Sequence, residues 1–352
     1  MRCKLITGIL VIKNMALISF TNRGIYCKQG DFYIDPWLPV DYAVTTHGHA
    51  DHVRWGNKYY LCHHFTKAII KCRISADLIV ESLGYGETVL RNGVEISFHP
   101  AGHVIGSAQV RLAYKGEICV ISGDYKVEYD GVSTAFEPIK CHTFVSESTF
   151  GLPTYNWLAQ NIIFDDIKKW AIQNKEDHKT TVLIAYSLGK AQRLLQNLAG
   201  DLPIYVHNSI GRLNEAIEHA GVPLASYQTI TPELSKDELQ GGILIVPPVM
   251  RDSKWIKSLQ SAAVGVCSGW MQVRSHRRWQ SADAGFALSD HADWRGLITA
   301  IKATEAEQIY VTHGFTSVFA RYLSEQGIAA QAVATQFGQE DDDVAAEKEV
   351  II

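Results

Sequence analysis

The run Thr46-His47-Gly48-His49-Ala50-Asp51-His52 constrains this chain more than any other segment. It follows directly on Tyr42-Ala43-Val44-Thr45, an aromatic and β-branched stretch that reads as a buried strand. Three imidazoles and a carboxylate this close together cannot enter a core without partners, and protonated imidazoles in one turn repel one another. A divalent cation resolves both difficulties, because imidazole nitrogen and carboxylate oxygen are ligands of borderline ions such as zinc. The alternative, a solvated polar loop, leaves this density of ligand types unexplained.

Other polar residues follow the same local grammar, each closing a short apolar strand. Asp35 follows 32–34, and His103 follows 94–99 through Pro100-Ala101-Gly102. Asp124 follows 118–121 through Ser122-Gly123, and Glu147 follows Phe144-Val145-Ser146. His291 follows 286–288 through Ser289-Asp290, and His313 ends 309–312 before Gly314. Strand ends along one sheet edge converge in space although they lie far apart in sequence, which places one polar site on a rigid scaffold. Taken singly, each has an ordinary reading as a turn former, loop histidine, helix cap or strand terminus.

The chain has 352 residues, 47% hydrophobic and 20% charged, which is ample core for two domains or for one domain with a large insertion. Collagen-like, coiled-coil and wholly disordered chains are excluded, and no apolar run reaches the ~18 to 20 residues of a membrane span. The net charge of −4 excludes a generally basic nucleic-acid coat protein. Residues 337–352, with six acids and one lysine, read as an acidic disordered tail. The seven cysteines form no CxxC pair and read as reduced packing thiols of a cytoplasmic protein. Residues 1–15 read as a start extension rather than a signal peptide, since Lys13 interrupts the apolar stretch.

The texture along the chain predicts an α/β (α+β) protein. Strands are expected at 16–20, 24–27, 32–34, 42–45, 94–99, 108–113, 118–121 and 144–145, with a helix over 66–82. From about 154 strand and helix alternate: helix 162–173, strand 181–185, helix 191–198, strand 203–206, helix 212–220 and strand 242–246. That alternation predicts a parallel sheet with covering helices. Short strands return at 286–288 and 308–312.

Asp35, His47-x-His49-x-Asp51-His52, His103 and Asp124 resemble, in this order, the motif series of the metallo-β-lactamase fold. Glu147 in Ser146-Glu147-Ser148-Thr149-Phe150-Gly151, His291 in Ser289-Asp290-His291-Ala292-Asp293 and His313 in Thr312-His313-Gly314 resemble three further motifs of the β-CASP nucleases. That group includes the messenger-RNA 3′-end cleavage factor, ribonuclease J and the DNA cross-link repair nucleases. Arg23-Gly24-Ile25-Tyr26-Cys27, Gly30-Asp31-Phe32-Tyr33-Ile34-Asp35-Pro36-Trp37 and Ser268-Gly269-Trp270-Met271 resemble the bacterial ligase-associated DNA-damage-response exonucleases. The resemblance covers nearly all of residues 16–336. It implies a metallo-β-lactamase αββα sandwich over 16–153 and 285–336, interrupted at 154–284 by a β-CASP-type α/β domain.

The resemblance also implies a ligand set. His47, His49 and His103 hold one divalent ion, Asp51, His52 and His313 a second, and Asp124 bridges them. Zinc is the expected metal, with manganese as the alternative. Two divalent ions carry about +4, which two ligating carboxylates reduce to about +2, so the site suits an anionic phosphodiester. Such ions lower the pKa of water to about 7 and stabilise charge on phosphoryl oxygens. Asp51 and Asp124 thus belong to the catalytic set. Asp35 orients a ligand histidine, His291 is the general acid, and Glu147 holds its ring and raises its pKa.

Two further features concern substrate. Arg274, Arg277 and Arg278, with His276 and flanked by Trp270 and Trp279, form a basic cluster that reads either as a solvated loop or as a phosphate clamp. Ser187 and Lys190, between a strand and a helix, sit where a helix start can hold a phosphate. No Walker A motif or GxGxxG fingerprint occurs. The expected function is a metal-dependent DNA exonuclease of repair, working with an ATP-dependent DNA ligase and a helicase and not with a membrane. The alternative is an RNA-processing ribonuclease, kept open by His313, where the DNA cross-link repair group usually has an apolar residue. A small-molecule hydrolase, such as a thioesterase or lactonase, would need only the HxHxDH run. A non-catalytic scaffold would have lost ligands that are all present here.

Overall fold

The computed structural model describes residues 17–200, 202–259, 261–273 and 282–333. The start extension at 1–15, the acidic tail at 337–352 and the cluster of Arg274, His276, Arg277, Arg278 and Trp279 lie outside the described residues.

The first sheet is built in chain order from β1 (Ser19–Thr21), β2 (Gly24–Cys27), β3 (Phe32–Ile34), β4 (Tyr42–Val44), β5 (Tyr59–His63) and β6 (Val80–Leu83). Its first pairings are antiparallel and those from β3 to β6 are parallel. The second sheet starts with β7 (Thr88–Arg91), β8 (Val94–Pro100), β9 (Ala108–Tyr114), β10 (Glu117–Ile121) and β11 (Thr143–Ser148). The chain then makes a third sheet from β12 (Thr180–Ile184), β13 (Ile204–Val206), β14 (Gln228–Thr229), β15 (Ile243–Val246), β16 (Ala262–Cys267) and β17 (Ala284–Phe286). It returns to the second sheet with β18 (Gln308–Gly314) and β19 (Ala330–Ala332). The third sheet is parallel throughout, in the order β14-β13-β15-β12-β16-β17.

The first two sheets pack face to face. Ile25, Phe32, Ile34, Val44 and Leu61 of one share a core with Ile96, Phe98, Val110, Leu112 and Ile121 of the other. Alternation along β8 explains the pairing, since Val94, Ile96 and Phe98 are buried while Glu95 is not. Helix α1 (His64–Arg73) covers the outer face of the first sheet through Ile70 against Tyr60 and Cys62. Helices Trp294–Thr304 and Thr316–Glu325 cover the second through Leu297, Ile301, Phe319 and Leu323 against Phe144, Ile309 and Val311. The layers therefore run helix, sheet, sheet, helix. In the third sheet, α2 (Gln160–Glu176), α3 (Lys190–Leu198) and α4 (Asn208–His219) cover one face. The continuous apolar runs of β12 and β15 follow from burial on both faces.

The molecule is thus mixed α/β, as expected from its sequence. The helix expected over 66–82 is shorter. It ends at Arg73, a turn follows in which Leu78 N–H bonds the Ser75 carbonyl, and the chain resumes as β6 beside Tyr60. The apolar residues Leu78 and Val80, read as a continued helical stripe, instead pack against the first sheet. The strand expected at 286–288 begins earlier, as Ala284–Phe286, because Asp283 already hydrogen-bonds Val264 of the neighbouring strand. Among the described residues no helix is long and apolar enough to cross a membrane.

Candidate metal centre

Strand direction assembles the site. Strands β3 and β4 run parallel, and so do β10, β11 and β18. Their carboxyl ends therefore lie on one edge of the sandwich, where ligands of parallel sheets gather. Asp35 follows β3, the His47–His52 run follows β4, Asp124 follows β10, and Glu147 and His313 sit in the last residues of β11 and β18. His103 arrives from the turn after β8. Gly123, at φ +56°, lets the Asp124 turn close over the other sheet, because a Cβ there would lie 2.6 Å from Thr46 Cβ.

Three ring nitrogens face one another. His49 Nδ1 lies 3.1 Å from both His47 Nε2 and His103 Nε2. Asp124 Oδ2 lies 3.5 Å from His47 Nε2 and 3.8 Å from His103 Nε2. The opposite nitrogens of two of these rings meet main-chain carbonyls, His49 Nε2 with Leu188 O at 3.2 Å and His103 Nδ1 with Asp290 O at 2.9 Å. A carbonyl only accepts, so those nitrogens carry the protons and the inward ones carry lone pairs. Burial holds His47, His49 and His103 below the ordinary imidazole range, His49 at about 3. Converging lone pairs are unfavourable until a cation sits among them.

A second constellation adjoins the first. His52 Nδ1 donates to Asp35 Oδ2 at 2.7 Å, while its buried Nε2 lies 3.3 Å from Asp51 Oδ2 and 3.4 Å from Asp124 Oδ2 with no hydrogen bond. The His313 ring stacks on His52 at 5.1 Å between centroids. Burial works against charge on His52, but Asp51, Asp124 and Asp35 reverse this and hold it well above its usual value. Positive charge is therefore favoured where Nε2 points. The orphaned nitrogen and the donor set of both constellations fit divalent cations, and each group His47/His49/His103/Asp124 and His47/Asp51/His52 offers donors within 4.8 Å of one another.

Two residues here hold strained backbone. Asp35 (φ +42°) and His313 (φ +52°) occupy the left-handed region that favours glycine. Asp35 is held there by the Thr46 N–H at 2.8 Å and the Thr46 hydroxyl at 2.6 Å as well as by His52.

His291 flanks the ring of His103, with centroids 4.6 Å apart. Its Nδ1 lies 3.0 Å from both oxygens of buried Glu147. Glu147 also accepts the Tyr125 N–H at 2.8 Å. One cleft is lined by His49, Asp51, His103, Asp124, His291 and His313, so residues from across the chain share it. Of the expected substrate residues, Lys190 lines this cleft but is buried, its ammonium 3.6 Å from Asp290 Oδ2. Ser187 is not among the lining residues, and its hydroxyl lies 3.5 Å from that of Ser209. Sequence reasoning missed Thr46, Thr149, Tyr186 and Asp290, all in or beside the cleft. Thr46 and Asp290 lay inside the motifs already singled out. Tyr186 preceded the strand-to-helix turn without a chemical signal of its own.

No protein-family model matches the chain. A protein of Opitutus terrae named "Probable DNA ligase" is 30% identical over 89% of this chain and 30% of its own length. The Saccharomyces cerevisiae "Endoribonuclease YSH1" is 33% identical over 22% of this chain and 10% of its own length. The Methanocaldococcus jannaschii "RNase J-like protein" is 23% identical over 49% of this chain and 48% of its own length. A solved structure of a protein of unknown function from Enterococcus faecalis shares the fold, with a TM-score of 0.55 at 11% identity, over 84% of this chain and 80% of that one. The chain thus spans a third or less of the ligase-named and YSH1 relatives and about half of the RNase J-like one.

Proposed function

We propose that this chain is a metal-dependent nuclease of the metallo-β-lactamase/β-CASP type that hydrolyses phosphodiester bonds of DNA from an end, alongside a DNA ligase. The observation that carries the reading is the pair of adjoining imidazole–carboxylate constellations with the His291–Glu147 pair at their rim. Similarity to nuclease-named proteins supports phosphodiester cleavage, and the ligase-named relative supports DNA. The reading takes 16–153 with 285–336 as the lactamase portion and 154–284 as the insertion. The third sheet supports an insertion in this part of the chain, although its last strand, β17, carries it to Phe286, two residues past the expected boundary.

His47, His49 and His103 would hold one ion, Asp51, His52 and His313 a second, and Asp124 both. When bound, a pair of such ions activates water and stabilises charge on phosphoryl oxygens. Asp35 holds the His52 ring so that Nε2 faces inward. His291, steadied by Glu147, donates a proton to the leaving oxygen. Lys190 lines the cleft, and in this reading Arg274, Arg277 and Arg278, which lie outside the described residues, would serve as a phosphate clamp rather than a solvated loop. The small-molecule hydrolase reading lacks a use for this acid pair.

A second reading, an RNA-processing ribonuclease, is favoured by the endoribonuclease names and by His313. The test is cleavage of end-labelled single- and double-stranded DNA and RNA with zinc or manganese. Mononucleotides released from DNA ends are expected. Internal cuts in RNA with DNA intact would establish the second reading. Thioester cleavage without polynucleotide cleavage would overturn both.

A further inference from the structure

The two carbonyls behind the inward-facing rings come from the third-sheet side of the molecule. Leu188 lies in the link between β12 and α3, and Asp290 lies just after β17. His49 and Leu188 are 139 positions apart in sequence, and His103 and Asp290 are 187 apart. Asp290 belongs to a buried ionic knot, and Leu188 lies two positions before Lys190, another member of it. The Asp290 carboxylate lies 3.6 Å from Lys190 Nζ and 3.3 Å from Arg193 Nη1. Arg193 Nη1 also donates to the Ser289 carbonyl at 2.6 Å, and its Nε and Nη2 reach Gln160 Oε1 in α2 at 3.2 and 3.0 Å. Asp290, Lys190 and Arg193 are 3%, 4% and 2% exposed, so water does little to loosen the knot.

Packing fixes the knot against the ligand loop. Gly189 has φ +90°, and a Cβ there would stand 2.3 Å from Val104 Cγ1 and 3.4 Å from Asp290 Oδ2. The turn that offers the Leu188 carbonyl therefore lies directly on the loop that carries His103. The Asp290 carbonyl is thus backed by the charges that hold its own side chain, and the Leu188 carbonyl by the packing of Gly189 on Val104. Partners behind metal-ligating histidines set ring orientation and basicity, and their loss typically costs about 10- to 100-fold in metal affinity.

We propose that Asp290, clamped by Lys190 and Arg193, is a positioning residue for the metal centre, so that the third-sheet side of the chain sets the ion affinity of His47, His49 and His103. This rests on the reading of the site as a metal centre. The test titrates cobalt(II) into the full metal-free chain and into Asp290→Asn and Lys190→Gln. Affinity comes from competition with a chromogenic chelator, and geometry from the visible d–d bands. Asp290→Asn is expected to weaken the tighter site by about 10-fold or more and to alter its bands. Lys190→Gln is expected to change both in the same direction by a smaller factor, and it carries the test should Asp290→Asn fail to fold. Affinity within twofold of wild type and unchanged bands in the folded variants would overturn the proposal, and so would lost thermal stability without a spectral change. Wild type that binds no cobalt would overturn the metal centre itself. Wild type that binds cobalt beside indifferent variants overturns only this inference.

Discussion

At the scale of single residues, Asp124 and His291 share one cleft but differ in their surroundings. Asp124 Oδ2 is within 3.8 Å of nitrogens from His47, His52 and His103, so its loss removes a negative charge from both constellations. His291 faces Glu147, and its backbone is fixed by the Trp157 Nε1–H on its carbonyl at 3.0 Å and by its own N–H on Ser289 Oγ at 3.1 Å. His291→Ala is therefore expected to lower turnover by about 10²- to 10⁴-fold while keeping its metal. Asp124→Ala is expected to lose metal together with activity. Elemental analysis beside a nuclease assay separates the two, and an active variant of either kind would contradict the assigned roles. The chemical identity of these residues was legible because each closes a short apolar strand. The part played by Asp290 was not, since a main-chain carbonyl leaves no mark on residue type.

At the scale of elements, α1 shows how a local pattern misleads and what corrects it. Its apolar spacing predicts a helix to 82, yet pairing of Val80 with Tyr60 outweighs helical spacing beyond Arg73. The helix starts on an unusual cap. His63 Nδ1 accepts the Phe65 N–H at 3.3 Å, and its ring stacks on Tyr85 with centroids 3.8 Å apart. Burial, aided by His64 and opposed by Glu87, lowers the His63 pKa to about 4. Above pH ~6.5 the ring is neutral in both folded and unfolded chains. As pH falls from there through about 4, the unfolded chain takes up the proton first, and stability on the order of 2 to 3 kcal/mol is lost. His63→Asn keeps a capping acceptor without the titration. Its urea-unfolding free energy should fall less steeply than wild type over that interval, and parallel curves would refute the assignment. Helix Trp294–Thr304 carries a start signal in its sequence, since Asp293 caps it by accepting the Gly296 N–H at 2.7 Å.

At the scale of the whole molecule, the candidate ligands come from both faces of the sandwich. His47, Asp51 and His52 leave the first sheet, while His103, Asp124 and His313 leave the second. A bound ion would therefore staple two layers that also meet through a shared apolar core and a few hydrogen bonds, such as that from the Ala108 N–H to the Thr46 carbonyl at 2.8 Å. Ligand binding to the folded state alone stabilises it by about 4 kcal/mol at a thousandfold excess over Kd. Zinc-loaded protein should unfold several degrees above chelator-treated protein in calorimetry, and identical midpoints would speak against ions at this edge.

The order of residue types along the chain was enough to specify the mixed α/β class, the parallel third sheet and most of the polar side chains that meet in the candidate site. Those signals are local, resting on strand alternation, buried apolar runs and the polar residue that ends each strand. Which nitrogen of His49 and His103 faces inward was decided only by tertiary structure. That choice depends on the Leu188 and Asp290 carbonyls behind the rings, and contacts made across more than a hundred positions have no signature in either neighbourhood.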